Sequence, residues 1–177
     1  DFAFIKATEG SLLQDRRFAA NWAGSAAAGV RAGAYHFLSY DSPGETQADN
    51  FIAAVPVTDG ALPPVVDIEF YGEYLDTPPE KERVRAILDP LLERLEAHYG
   101  VKPILYVTYR SYYRYIAGGG YGDYPIWCSS PTVFPLVPGW DFWQYSHSAE
   151  LEGYYGTQRR IDLNIFRGSQ AEFERFG

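Results

Sequence analysis

Methionine is absent from these 177 residues and cysteine occurs once. No apolar run is long enough to cross a bilayer. With Cys128 alone no intrachain disulfide can form, so stability has to come from packing. Positive charge is also scarce: 15 Lys and Arg stand against 23 Asp and Glu, a net charge of −8 with a pI near 4.8. Such a surface repels phosphate backbones and anionic headgroups, so neither nucleic acid nor a membrane is expected as a partner. His36, His98 and His147 are not spaced as ligands to one another, to Cys128 or to an acid pair. No zinc site and no cofactor is therefore expected, although carboxylates leave a hard cation open. Gly118-Gly119-Gly120 lacks the lysine and following helix of a phosphate cradle. Ser146 and Ser148 flank His147 without forming a nucleophile elbow.

What the chain does have is apolar and aromatic mass. Hydrophobic residues make up 46% and aromatics 17%, enough for burial to outweigh chain entropy in one domain over residues 1–177. The chain opens at Asp1 directly into Phe2-Ala3-Phe4-Ile5, without an initiator methionine, so a processed or N-terminally truncated product is expected.

Short apolar runs alternate with helical patterns. Strands are expected at 2–7, 30–38, 64–70, 104–108, 126–129, 142–145 and 161–166. Between the early strands, Phe18, Trp22 and Ala26 mark a helix stopped by Gly29. Ser42-Pro43-Gly44-Glu45 and Thr77-Pro78-Pro79-Glu80 read as capping boxes opening two more helices. The second of these carries Val84, Ile87, Leu88, Leu91, Leu92 and Leu95 on one face, with Pro90 inside and Gly100 at its end. A short helix over 169–176 closes the chain. Alternation of this kind predicts parallel strands joined by right-handed crossovers.

Parity along the strands separates two faces. Val66, Ile68 and Phe70 share one side, and Val65, Asp67 and Glu69 share the other. Ile161, Leu163 and Ile165 likewise oppose Asp162 and Asn164. An open doubly wound sheet wants both faces apolar, whereas a barrel with a functional mouth accommodates acids at strand ends. Asp67 and Glu69 have Cα atoms ~7 Å apart on one face. Two such acids repel as anions, so one keeps a proton, which supplies the general acid and the ionised partner that glycosidic cleavage needs. Two solvated acids at a strand end are the plainer explanation of an isolated Asp-x-Glu. The Pro63-Pro64-Val65-Val66 lead-in and the matching parity of Asp162 favour the catalytic one. Tyr35, Tyr106, Trp127 and Trp143 lie near strand ends, where they either pack the core or line a groove for a linear glycan.

An ordered set of stretches spans nearly the whole chain. It comprises Phe4-Ile5-Lys6-Ala7-Thr8-Glu9-Gly10, Gly33-Ala34-Tyr35-His36-Phe37, Gln47-Ala48-Asp49-Asn50-Phe51, Pro64-Val65-Val66-Asp67-Ile68-Glu69, Lys102-Pro103-Ile104-Leu105-Tyr106, Trp143-Gln144-Tyr145 and Ile161-Asp162-Leu163-Asn164-Ile165-Phe166. Together they resemble glycoside hydrolase family twenty-five, the Chalaropsis-type lysozymes. The resemblance implies an irregular TIM-like β/α barrel that cleaves the β-1,4 bond between N-acetylmuramic acid and N-acetylglucosamine in peptidoglycan. It implies Glu69 as general acid, Asp67 as partner carboxylate, and Asp162 as the acid of the last strand. It also implies Lys6, Glu9, Tyr35, Tyr106 and Trp143 near the sugar groove. It further implies a secreted or phage-lysin enzyme acting on the cell wall, monomeric unless an open edge pairs with another chain. Members of that family begin with a strand bearing a Gly-Ile-Asp-Val-Ser-like motif, and this sequence starts at what resembles the second strand, so a barrel lacking its first strand is expected. That departure keeps a non-catalytic wall-binding module as the alternative. A related chitin-cleaving barrel is disfavoured because Pro63 and Pro64 occupy the upstream positions of its acidic motif.

Overall fold

The computed structural model describes residues 1–150, 152 and 160–177. Eight strands form one sheet in the order β2-β1-β3-β4-β5-β6-β7-β8. They are β1 (Phe2–Glu9), β2 (Leu13–Gln14), β3 (Arg31–Phe37), β4 (Val65–Ile68), β5 (Ile104–Thr108), β6 (Ile126–Ser129), β7 (Trp140–Ala149) and β8 (Ile161–Phe166). β1 and β3 through β7 run parallel, as the alternation predicts. β8 returns antiparallel to β7, a departure from the all-parallel expectation. The two-residue β2 folds back on Thr8 and Glu9 and carried no sequence signal.

Strand parity sorts two cores. Ala34, Val66, Ile68, Leu105, Val107 and Cys128 face outward to the helices. The cover is α1 (Phe18–Ala27), α2 (Gly44–Ala54) and α3 (Lys81–Tyr99), the last packing Leu88, Leu91, Leu92 and Leu95 with almost no exposure. Val65, Ile104, Tyr106, Trp127 and Phe142 face inward and meet Phe2, Phe4 and Phe166. Ring contacts across this interior show how far the sheet curls. Phe4 of β1 stacks on Trp127 of β6 at 4.3 Å, and Phe2 meets Phe142 of β7 edge-on at 5.4 Å. The result is a curled half-barrel. Between β1 and β8 no ladder forms, so the outer edge of β1 over residues 2–6 and the outer edge of β8 are unpaired among the described residues. α5 (Gln170–Glu174) brings Phe173 and Phe176 against this interior, and Arg31 ties it down by donating to the Phe173 and Phe176 carbonyls.

Both expected capping boxes are corrected. α2 starts from Pro43 and α3 from Glu80, neither with a side-chain cap. The backbone carbonyls of the would-be cap segments accept hydrogen bonds instead. Gln47 Nε2 donates to the Ser42 carbonyl, and Tyr115 OH donates to the Pro79 carbonyl at 2.8 Å. Boxes do form at Thr108, opening α4 (Tyr109–Ser111), and at Ser169, opening α5.

A buried polar chain joins β1, β3 and α2. Gln47 Oε1 accepts from the Ser39 N–H and lies 2.9 Å from His36 Nε2, so Nε2 carries the proton. Nδ1 then accepts from the Thr8 hydroxyl at 2.7 Å. Burial of this neutral ring pushes the His36 pKa down to about 4 from 6.5. The unfolded chain therefore takes up a proton that the folded chain refuses. The stability this ring contributes is present above pH 6.5 and drains away as the pH falls toward 4. The loss amounts to about 3 kcal/mol at about 1.4 kcal/mol per pH unit. Urea midpoints measured across that window should fall in the wild type and fall less steeply in His36→Gln; equal slopes would assign the acid sensitivity to other groups.

Candidate active site

β4 ends among acids because Val65 and Asp67 point inward while Val66 and Ile68 anchor the strand to the helices. Asp67 and Glu69 line a cleft of about 660 Å³ at the curled sheet's mouth, and Asp162 of β8 joins them from the far side of the gap. Tyr35, Tyr106, Trp127, Gln144 and Asn164 line the same cleft, with Phe2 and Phe4 also on its wall. Trp127 Nε1 donates to Asn164 Oδ1 at 2.9 Å, which ties β6 to β8 across the interior.

The three carboxyls are unequal. Asp67 is buried, 9% exposed, and its Oδ1 has no hydrogen-bond partner among the described residues. Burial first, and the Glu69 charge second, raise its pKa well above the usual carboxylate range, against the pull of Lys6. Glu69 is half-buried; burial and then the Asp162 charge raise it, and Lys6 again opposes. Asp162 sits exposed at the mouth, raised by partial burial and held back by His147. The Asp67–Glu69 pair therefore shares protons as a unit and retains one more readily than a solvated pair does. Burial and the charges of Asp67, Asp162 and Glu69 raise the Tyr35 pKa, and burial with the Asp67 charge raises that of Tyr106. Both phenols stay protonated as donors.

A bulge supplies the cation. In β1, Lys6 pairs with Tyr35 but Thr8 pairs with His36, leaving Ala7 as the extra residue. Without it, Lys6 and Glu9 would lie on opposite faces. With it, Lys6 Nζ reaches Glu9 at 2.7 Å and lies over the Phe37 ring at 5.1 Å, on the rim beside the acids.

The structure thus gathers Asp67, Glu69, Asp162, Tyr35 and Tyr106 in the cleft, while Lys6 and Glu9 stand outside its lining, close enough for their charges to act on Asp67. Trp143 is not among them. It shares the outward face of β7, donates from Nε1 to the Ser130 carbonyl at 2.9 Å and packs edge-on against Trp140 and Phe134. Its neighbour Gln144 takes the inward position, as the parity of Phe142 requires. Sequence reading singled out neither Gln144 nor Asn164 for the cleft; parity with Phe142 and Asp162 was the available signal. Among the described residues no group of three or more His, Cys, Asp or Glu side chains is arranged to hold a metal ion. A second hollow of about 340 Å³ is bordered by Trp22, Arg31 and Tyr99, with Asp59 and Glu174 also on its wall.

Comparison with known proteins agrees with this geometry. The family model "Glycosyl hydrolases family 25" matches residues 1–154. The structure is similar to a family 25 glycosyl hydrolase from Bacillus anthracis, with a TM-score of 0.93 and 47% identity over 99% of this chain and 82% of that one. Among curated relatives, the uncharacterized protein YegX of Escherichia coli (strain K12) is 33% identical, matching 99% of this chain and 62% of its own length. "Lysozyme M1" of Streptomyces globisporus is 34% identical, matching 96% of this chain and 61% of its own length. The chain thus spans less than two thirds of the curated relatives it matches. The half-barrel, the inward carboxylates and a match over most of the chain lead to one assignment: the chain belongs to glycosyl hydrolases family 25.

Proposed function

We propose that this cleft hydrolyses peptidoglycan, cutting the β-1,4 bond from N-acetylmuramic acid to N-acetylglucosamine as a lysozyme acting on the cell wall outside the cytoplasm, whether secreted or carried by a phage. The observation that carries the reading is the pair of buried Asp67 and half-buried Glu69, both held above the usual carboxylate range, inside a cleft large enough for sugar rings. Glu69, the more accessible of the two, serves as general acid and protonates the leaving oxygen. Asp67 is the partner carboxylate that balances positive charge developing at the anomeric carbon, directly or through the substrate's own acetamido group. Asp162 opposes ionisation of Glu69 and so helps it keep its proton. Tyr35 offers a donor to a sugar hydroxyl, Tyr106, whose proton is given to Gln144, offers an acceptor, and the Lys6–Glu9 ion pair lies near the acids. Family membership and the printed name of the Streptomyces globisporus relative support the substrate class.

The curled sheet is read as a TIM-like β/α barrel open by one strand between β1 and β8. The protein is monomeric provided that these edges do not pair with another chain. The same gap favours a second reading, a wall-binding module without turnover, because it leaves one side of the acidic cluster unwalled. Digestion of purified peptidoglycan followed by borohydride reduction separates the two. New muramitol ends are expected. New glucosaminitol ends would reassign the bond, and retention on the wall with no new ends would establish the binding module.

A further inference from the structure

The walls of the cleft are rich in acceptors. Asp67, Glu69 and Asp162 accept from any sugar hydroxyl, and Asp67 Oδ1 has no partner among the described residues. A ligand group that only accepts needs a donor whose orientation the protein fixes. Gln144 meets that need. It is 5% exposed and lines the cleft. Its Oε1 accepts two hydroxyl hydrogen bonds, from Tyr106 OH at 2.9 Å and from Ser129 Oγ at 2.6 Å. The phenol stays protonated and therefore remains a donor. An amide keyed twice through its oxygen turns its nitrogen the other way, and Gln144 Nε2 donates to no protein atom among the described residues. The nitrogen is not among the enclosed, partnerless side-chain atoms, so it opens onto the cleft, where an acceptor on a ligand can take its hydrogen.

We propose that Gln144 is a specificity-determining residue whose Nε2 donates to the carbonyl oxygen of an N-acetyl group on the bound sugar. An amide carbonyl accepts and never donates, so an ionised carboxylate cannot recognise it, and the proton that the Asp67–Glu69 pair retains is committed to the leaving oxygen. A sugar hydroxyl in the same place would be satisfied by the acids and would need no fixed donor. The inference rests on the glycan reading above and deepens it by naming the group that is recognised. The amide acts on selection between acetylated and bare amino sugars, not on proton transfer.

The test uses binding, so that turnover does not enter. In the Glu69→Gln background, calorimetry would measure a peptidoglycan glycan tetrasaccharide and the same tetrasaccharide chemically de-N-acetylated. Gln144→Leu is expected to weaken the acetylated ligand by about 10- to 100-fold and the bare one by less than about threefold. Gln144→Glu keeps an acceptor for both hydroxyls while replacing the donor, so it reports on recognition even where Gln144→Leu fails to fold; the same selective loss is expected. Equal losses on the two ligands, or none on either, would overturn the role of Gln144. If the Glu69→Gln parent binds neither tetrasaccharide, the glycan reading itself falls, independently of what the Gln144 variants do.

Discussion

Glu69→Gln is expected to slow peptidoglycan cleavage by about 10²- to 10⁴-fold while the melting temperature stays level or rises slightly. The amide has the size of the acid and cannot give a proton to the leaving oxygen. It also removes a charge whose environment resists ionisation. Burial and the Asp162 charge both raise the Glu69 pKa, and the Glu69 charge raises that of Asp67 in turn. A carboxyl held above its ordinary pKa weakens the folded state at neutral pH, because the unfolded chain ionises it at no such penalty. Loss of activity together with retained stability is therefore the signature of a proton donor; a structural acid would show the reverse. Release of reducing ends, followed beside thermal melts, decides it. Activity within tenfold of wild type would remove Glu69 from the role and pass the acid's task to Asp67.

Gly44→Ala is expected to cost at least about 3 kcal/mol, at the upper end of what overpacking does to a core. Gly44 is the first residue of α2, where the helix touches α3. A β-carbon there would lie 1.9 Å from the Ile87 carbonyl oxygen and 3.0 Å from the Leu91 nitrogen. These are backbone atoms of a helix, so no rotamer change can clear them. The two helices would have to part, and with them Ala48 and Phe51 from Leu88 and Leu91, all fully buried. Gly24 in α1 is the control. Its β-carbon would meet nothing within 4 Å, so Gly24→Ala should stabilise by up to about 1 kcal/mol through helix propensity alone. Urea unfolding of both variants checks the contrast. A Gly44→Ala midpoint equal to wild type would show that α2 and α3 separate without cost.

Much of the candidate site was legible because a strand alternates its faces. The strand Val65-Val66-Asp67-Ile68-Glu69 can bury Val66 and Ile68 against the helices only by turning Asp67 and Glu69 inward, and β8 repeats the rule with Asp162 and Asn164. Trp143 shows where the reading stopped. Position near a strand end does not reveal which face a side chain takes, and Phe142 claims the interior, so its neighbour must face out. The Ser42 and Thr77 caps failed for a different reason. The helices begin later than the motifs suggest, and the backbone carbonyls of these segments accept instead, Ser42 from the Gln47 amide and Pro79 from the Tyr115 hydroxyl.

The sequence by itself determined the alternation of strands and helices, the two faces of each inner strand and the family to which the chain belongs. Those follow from periodicity and residue order, which are properties of the chain. Only the tertiary structure decided that the Ala7 bulge brings Lys6 and Glu9 together, that β8 returns antiparallel, and that the Gln144 amide is keyed by hydroxyls from two other strands. Each of these depends on register between segments distant in sequence. Register is set by packing and hydrogen bonding across the sheet, which no local pattern encodes.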